Sequence, residues 1–209
     1  MVGERSVTDD HPGGASDHSQ PPGHAGAFSQ QFQHTPVGAR LPDRVAQGVF
    51  STGVIVMEGS DEFVVDFFQG LNRPPRVATR VVMSPNVMGQ FAGALKENLQ
   101  KFEQSFGPPK SLPTPNVEHR PSVQEIYQDL RLPDEMLSGC YANTVMIGHS
   151  PSEFFFDFIT RFYPTAAVSA RVYLAASQVP QLLSALTTSL QNRASREAEG
   201  RKNPPPHAG

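Results

Sequence analysis

"LPDRVAQGVFSTGVIV" runs from Leu41 to Val56, and "LPDEMLSGCYANTVMI" runs from Leu132 to Ile147. Both open on Leu-Pro-Asp, pass a glycine and an aromatic, and end in a run of β-formers. Sliding the chain onto itself by 91 residues aligns 41–100 with 132–191 without a gap, and 17 of those 60 positions are identical. Ordinary composition gives roughly one identity in 17 by chance. The chain therefore carries one duplicated unit rather than a many-repeat solenoid.

Each unit reads strand, strand, strand, helix. The first strand is Val49–Met57, matched by Cys140–Ile147; the second is Glu62–Phe68, matched by Glu153–Ile159. The third is Arg76–Met83, matched by Ala167–Leu174. Val, Ile, Phe and Tyr dominate these runs, and short connections predict an antiparallel meander. In the first helix Ser84 is placed to cap and Pro85 to start. Met88, Phe91, Leu95, Leu99, Phe102 and Phe106 then recur in steps of three and four until Gly107 and two prolines. The second helix carries Val179, Leu182, Leu183, Leu186 and Leu190, and is expected to be shorter. Ser122 and Glu125 form a capping box that predicts a short linker helix.

The expected organisation is a first unit over 41–109, a linker over 110–131 and a second unit over 132–192. Residues 1–40 are rich in Gly, Pro, Ser, His and Gln, and residues 193–209 are rich in charge and proline. Neither buries enough apolar surface to offset its chain entropy, so both are expected to be disordered arms.

Strand alternation assigns faces. Phe63, Val65 and Phe67 share one side of the second strand; Glu62, Val64, Asp66 and Phe68 share the other. In the third strand Val77, Thr79, Val81 and Met83 oppose Ala78, Arg80 and Val82. The apolar face suits the helices. The mixed face sets Val64, Phe68 and Val82 beside charges, which points to a partner surface, with a second copy of the chain as the expected occupant. The alternative is that the arms or the linker cover it. Asp66 with Arg80, and Asp157 with Arg171, are repeated charges of opposite sign on this face. They read as register-fixing ion pairs, or else as a carboxylate–guanidinium patch for a polar ligand. Glu62 and Asp66 lie roughly 13 Å apart along one strand, too far to share acid–base work on one bond.

Several function classes find little support. A net charge of −3 lacks the basic footprint of a nucleic-acid binder. No apolar run approaches the roughly 20 residues that cross a bilayer, and the N-terminus has no secretory apolar region. Cys140 is the single cysteine, so no internal disulfide forms and a reducing cytoplasm is the expected location. His11, His18, His24 and His34 lack metal-site spacing. Cys140 has no His or Lys near it in sequence, and Asn143 reads as a backbone-satisfying residue. No phosphate loop, hydrolase elbow or dinucleotide fingerprint is present. No cofactor is expected.

Tyr141-Ala142-Asn143, Ser150-Pro151-x-Glu153-Phe154-x-x-Asp157-Phe158 and Arg171 resemble the first half of a short bacterial and archaeal domain. Arg80-x-x-x-Ser84-Pro85, Leu95-x-x-Asn98 and Phe102-Glu103-x-x-Phe106-Gly107 resemble its second half. Together they resemble the domain-of-unknown-function family 3467, over both repeats. Each copy keeps what the other has lost: Phe50-Ser-Thr replaces Tyr-Ala-Asn in the first, and Arg193-Ala194 replaces the aromatic-Glu ending in the second. The resemblance implies no activity and brings no catalytic residues. The expected fold is α+β: two βββα units about a pseudo-twofold axis, as one six-stranded sheet or two packed sheets with one long helix each. The expected role is non-enzymatic self-association or protein binding. The alternatives are a holdase-like binder of unfolded segments and an enzyme or ligand binder using the Asp/Arg patch.

Overall fold

A computed structural model of the chain describes residues 38–112, 122–162 and 164–202. The expectations for 1–37 and 203–209 lie outside those residues. In chain order the elements are α1 (Asp43–Ala46), β1 (Val49–Ser51), β2 (Gly53–Glu58), β3 (Phe63–Gln69), β4 (Arg76–Met83), α2 (Pro85–Phe106) and α3 (Val123–Asp129). Then come β5 (Cys140–Tyr141), β6 (Thr144–His149), β7 (Glu153–Arg161), β8 (Ala166–Ala175) and α4 (Val179–Lys202).

The fold is α+β, with two four-stranded sheets ordered β2-β3-β4-β5 and β1-β8-β7-β6. Each holds an antiparallel meander from one unit and a short parallel strand from the other. Val49 and Phe50 pair with Val172 and Tyr173; Cys140 and Tyr141 pair with Val81 and Val82. These registers are the same pairing shifted by one repeat, so the exchange is reciprocal and the two units are related by pseudo-twofold symmetry.

The exchange corrects the single first strand predicted over Val49–Met57. That run breaks at Thr52, and its two pieces join different sheets. Side chains at the break replace ladder bonds. The Gly70 N–H donates to Thr52 Oγ1 at 2.7 Å, and at the equivalent place the Arg161 N–H donates to Asn143 Oδ1 at 2.8 Å. Upstream, Gly48 and Gly139 turn the chain with φ of 66° and 65°. A Cβ on Gly48 would stand 2.6 Å from the Tyr173 ring, and one on Gly139 2.8 Å from the Arg80 stem. Close approach and a left-handed backbone both demand glycine there.

The inner faces meet in one core. Phe63, Val65 and Phe67 of β3 are buried with Phe154, Phe156 and Phe158 of β7, and the Phe67 ring lies 5.5 Å from that of Phe158. Each long helix packs across the exchange, α2 on β6 and α4 on β2. Ser84 Oγ accepts the Val87 N–H at the start of α2, and Gly107 closes it. The expectation of a shorter second helix is corrected: α4 has 24 residues against 22 for α2. It runs through 193–202, which composition had marked as disordered. Arg193 and Glu197, one turn apart, pair at 2.8 Å and support that extension.

Candidate functional site

The repeated charges sit side by side on adjacent strands. Asp66 faces Arg80 across β3 and β4, and Asp157 faces Arg171 across β7 and β8. Arg80 Nε and Nη2 each donate to one Asp66 oxygen at 2.8 Å. Arg171 does the same to Asp157 at 2.6 and 2.7 Å. Both carboxylates are buried, so these forked, charge-assisted pairs hold their partners firmly. The hydrogen bond to each aspartate raises the arginine pKa above its ordinary value.

The two pairs differ in what lies over them. The Ser122 capping box forms, and α3 lies on the outer face of the β2-β3-β4-β5 sheet. There Ile126, Tyr127, Leu130 and Leu132 cover Ile55, Met57, Phe68 and Val77. The Tyr127 hydroxyl donates to Asp66. Burial, and then that carboxylate, raise the tyrosine pKa. Of the candidate interface residues, Phe68 therefore packs with the chain's own linker, while Val64 and Val82 are half-buried. Strand alternation alone places Val77 on the inner face. A register shift at Phe67/Phe68 sets it opposite Phe68 in the cluster beneath α3. Strand alternation in sequence cannot register such a bulge.

Between the units lies a cleft of about 330 Å³. Its lining comes in repeat-related pairs: Arg80 with Arg171, Gly48 with Gly139, Val49 with Cys140, Arg44 with Glu135. Arg80 and Arg171 are each matched by an aspartate, and Arg44 and Glu135 oppose one another in sign. The cleft thus offers no net charge to an anion or a cation. Burial pushes the Cys140 thiol up to about 11, so it is an inert group there. Glu153 opens β7, where the Ser150 and Ser152 hydroxyls of the preceding turn donate to it and lower its pKa. Among the described residues no group of three or more His, Cys, Asp and Glu is placed to hold a metal. None of their helices is long and apolar enough to cross a membrane.

The outer face of the second sheet carries what the sequence reading missed. Phe50, Tyr173 and Phe155 stand in one cross-strand row on β1, β8 and β7. The Tyr173 and Phe155 rings lie 6.4 Å apart, and Phe50 is 43 % exposed. Arg171 lies over the Phe155 ring at 5.9 Å. Phe155 and Tyr173 are the repeat equivalents of Val64 and Val82. The signal was the middle aromatic of Phe154-Phe155-Phe156, whose phase is outward. At the swapped strand of the other sheet, Tyr141 stacks on Phe162 with centroids 5.9 Å apart, both largely exposed.

The model of a family described as protein of unknown function (DUF3467) matches residues 15–111 and again 113–197. Each match begins upstream of its repeat, taking in part of the N-terminal arm in one case and the linker with α3 in the other. No curated protein matches the chain.

Proposed function

The chain belongs to the DUF3467 family, proteins of unknown function, as two tandem copies, and on that premise we propose that it is a non-enzymatic module for self-association. The observation that carries this is the Phe50–Tyr173–Phe155 row on the outer face of the β1-β8-β7-β6 sheet. An ordered aromatic row of this kind buries large area at low entropic cost. Its neighbour is the internally neutralised Asp157–Arg171 pair, so two copies of this face meet without like-charge repulsion. The saturated arginines and the neutral cleft weigh against catalysis. The lone Cys140 fits work in the cytoplasm.

The test is light scattering coupled to size-exclusion chromatography on the full chain. The natural protein is expected to elute as a dimer or higher species, and Phe50→Ser with Phe155→Ser as a monomer that keeps its circular dichroism. A natural chain that stays monomeric at every concentration overturns the proposal.

A further inference from the structure

The cleft between the units is walled by repeat-related pairs, and one pair breaks the match in charge. Arg44 on α1 and Glu135 on the single turn Asp134–Met136 hold equivalent positions with opposite sign. α1 lies against β8 and the turn lies against β4, so the two charges approach the cleft from opposite sides. Both side chains are exposed at its mouth. Neither forms an ion pair with the other or with any described residue. Glu135 also borders a second cavity, of about 260 Å³, with Arg76 and Arg131, and pairs with neither. Arg80 and Arg171 are held by Asp66 and Asp157. Among the described residues, the free charges facing the cleft of about 330 Å³ are therefore one guanidinium and one carboxylate.

Between those two charges the lining is small and largely apolar. Ala78 and Ala170 are buried, and Val49 and Cys140 are partly buried. Burial raises the Cys140 thiol and the Arg44 charge draws it back down, so the guanidinium is felt inside the cleft. On the β4 side the Thr79 hydroxyl has no hydrogen-bond partner among the described residues, whereas Ser169 on β8 bonds Thr160 at 2.6 Å. The volume lies at the lower end of the range for small-molecule sites. We infer that the cleft binds a small zwitterion, with its carboxylate on Arg44, its ammonium on Glu135 and a short apolar body over Ala78 and Ala170. Each end makes a charge-assisted hydrogen bond, whereas an ion of one sign meets repulsion at one side. Because the walls repeat about the pseudo-twofold axis, exchanging the two charges leaves a cleft that takes the same ligand reversed. An ω-amino acid and a short peptide with free ends share this chemistry. None of Phe50, Phe155 and Tyr173 lines the cleft, so the inference is independent of self-association through that row.

The test is isothermal titration calorimetry of the full chain at low salt, with ε-aminocaproate as the probe. Saturable binding is expected at millimolar ligand. Caproate and hexylamine, which satisfy one end each, are expected to bind about tenfold more weakly. Arg44 and Glu135 are both exposed, so their variants are expected to keep the natural circular dichroism. Arg44→Glu is expected to lose ε-aminocaproate and to gain hexamethylenediamine. Glu135→Arg is expected to lose it and to gain adipate. Combining Arg44→Glu with Glu135→Arg is expected to restore ε-aminocaproate. Dialanine in the same titration separates the two sources: tighter binding than ε-aminocaproate assigns peptide ends to the site, and weaker binding assigns an ω-amino acid. No binding of either probe to the natural chain overturns the inference. Binding that passes unchanged through Arg44→Glu also overturns it, because the ligand would then sit elsewhere.

Discussion

Near the end of α2, Phe102 sits among Phe106, His149 and Phe154, with ring centroids 5.2, 5.7 and 5.3 Å away. One repeat later on α4, the same position is Arg193. Its neighbours are Glu197, Glu58 and Phe63, the repeat equivalents of those three residues. Arg193 pairs with Glu197 at 2.8 Å and Glu58 at 3.6 Å, and its guanidinium lies 5.9 Å from the Phe63 ring. It also donates to Ser60 O at 3.0 Å. One helix end is clamped to the opposite unit by aromatic packing, the other by charge over a ring. The scaffold fixes where the contact falls, and two chemistries satisfy it.

Breaking the aromatic end has the larger consequence. Phe102→Ala removes a buried ring from a close-packed cluster and is expected to cost about 4 kcal/mol in urea unfolding. A loss under half of that would show that the site collapses around the gap. The comparison extends to the two buried aspartates. Asp66→Ala strands Arg80 and is expected to cost about 3 kcal/mol. Asp157→Ala is expected to cost less, because no tyrosine hydroxyl among the described residues loses an acceptor with it.

Tyr127→Phe isolates that difference. It is expected to cost about 1 kcal/mol near neutral pH, the worth of one hydrogen bond. The folded pKa of Tyr127 is raised above the ordinary 10.0. The stability it contributes is therefore complete below that value and declines as pH climbs past it, since unfolding then releases a proton. The natural chain should show this alkaline decline in its unfolding midpoint, and Tyr127→Phe should flatten it. The smallest effect belongs to the ionic end. Arg193→Ala is expected to cost at most about 1 kcal/mol, and salt should shrink the deficit. A deficit indifferent to salt would assign the contact to cation–π packing with Phe63 instead.

The meanders, the α2 caps, the α3 box and the pairing partners of the aspartates are legible in the sequence, because each rests on local periodicity or on fixed cross-strand spacing. The strand exchange is not. Val49-Phe50-Ser51 and Gly53-Val54-Ile55 are all β-compatible, so no propensity marks Thr52 as the break. The one local trace is a glycine kept at 48 and 139. The length of α4 was hidden by composition, since Arg, Glu and Ala after Asn192 read equally as a solvated tail or an exposed helix. Only the Arg193–Glu197 spacing distinguishes them. The aromatic row is not legible from the first copy, which has Val64 and Val82 in place of Phe155 and Tyr173.

The reciprocal exchange also sets an order of events during synthesis. Val49 leaves the ribosome 123 residues before its partner Val172 (172 minus 49). The β2-β3-β4-β5 sheet is incomplete until β5 emerges and the β1-β8-β7-β6 sheet until β8, so the nascent first half carries an open edge and an uncovered inner face while it waits. Such distant pairing slows folding and leaves the growing chain dependent on protection from its neighbours.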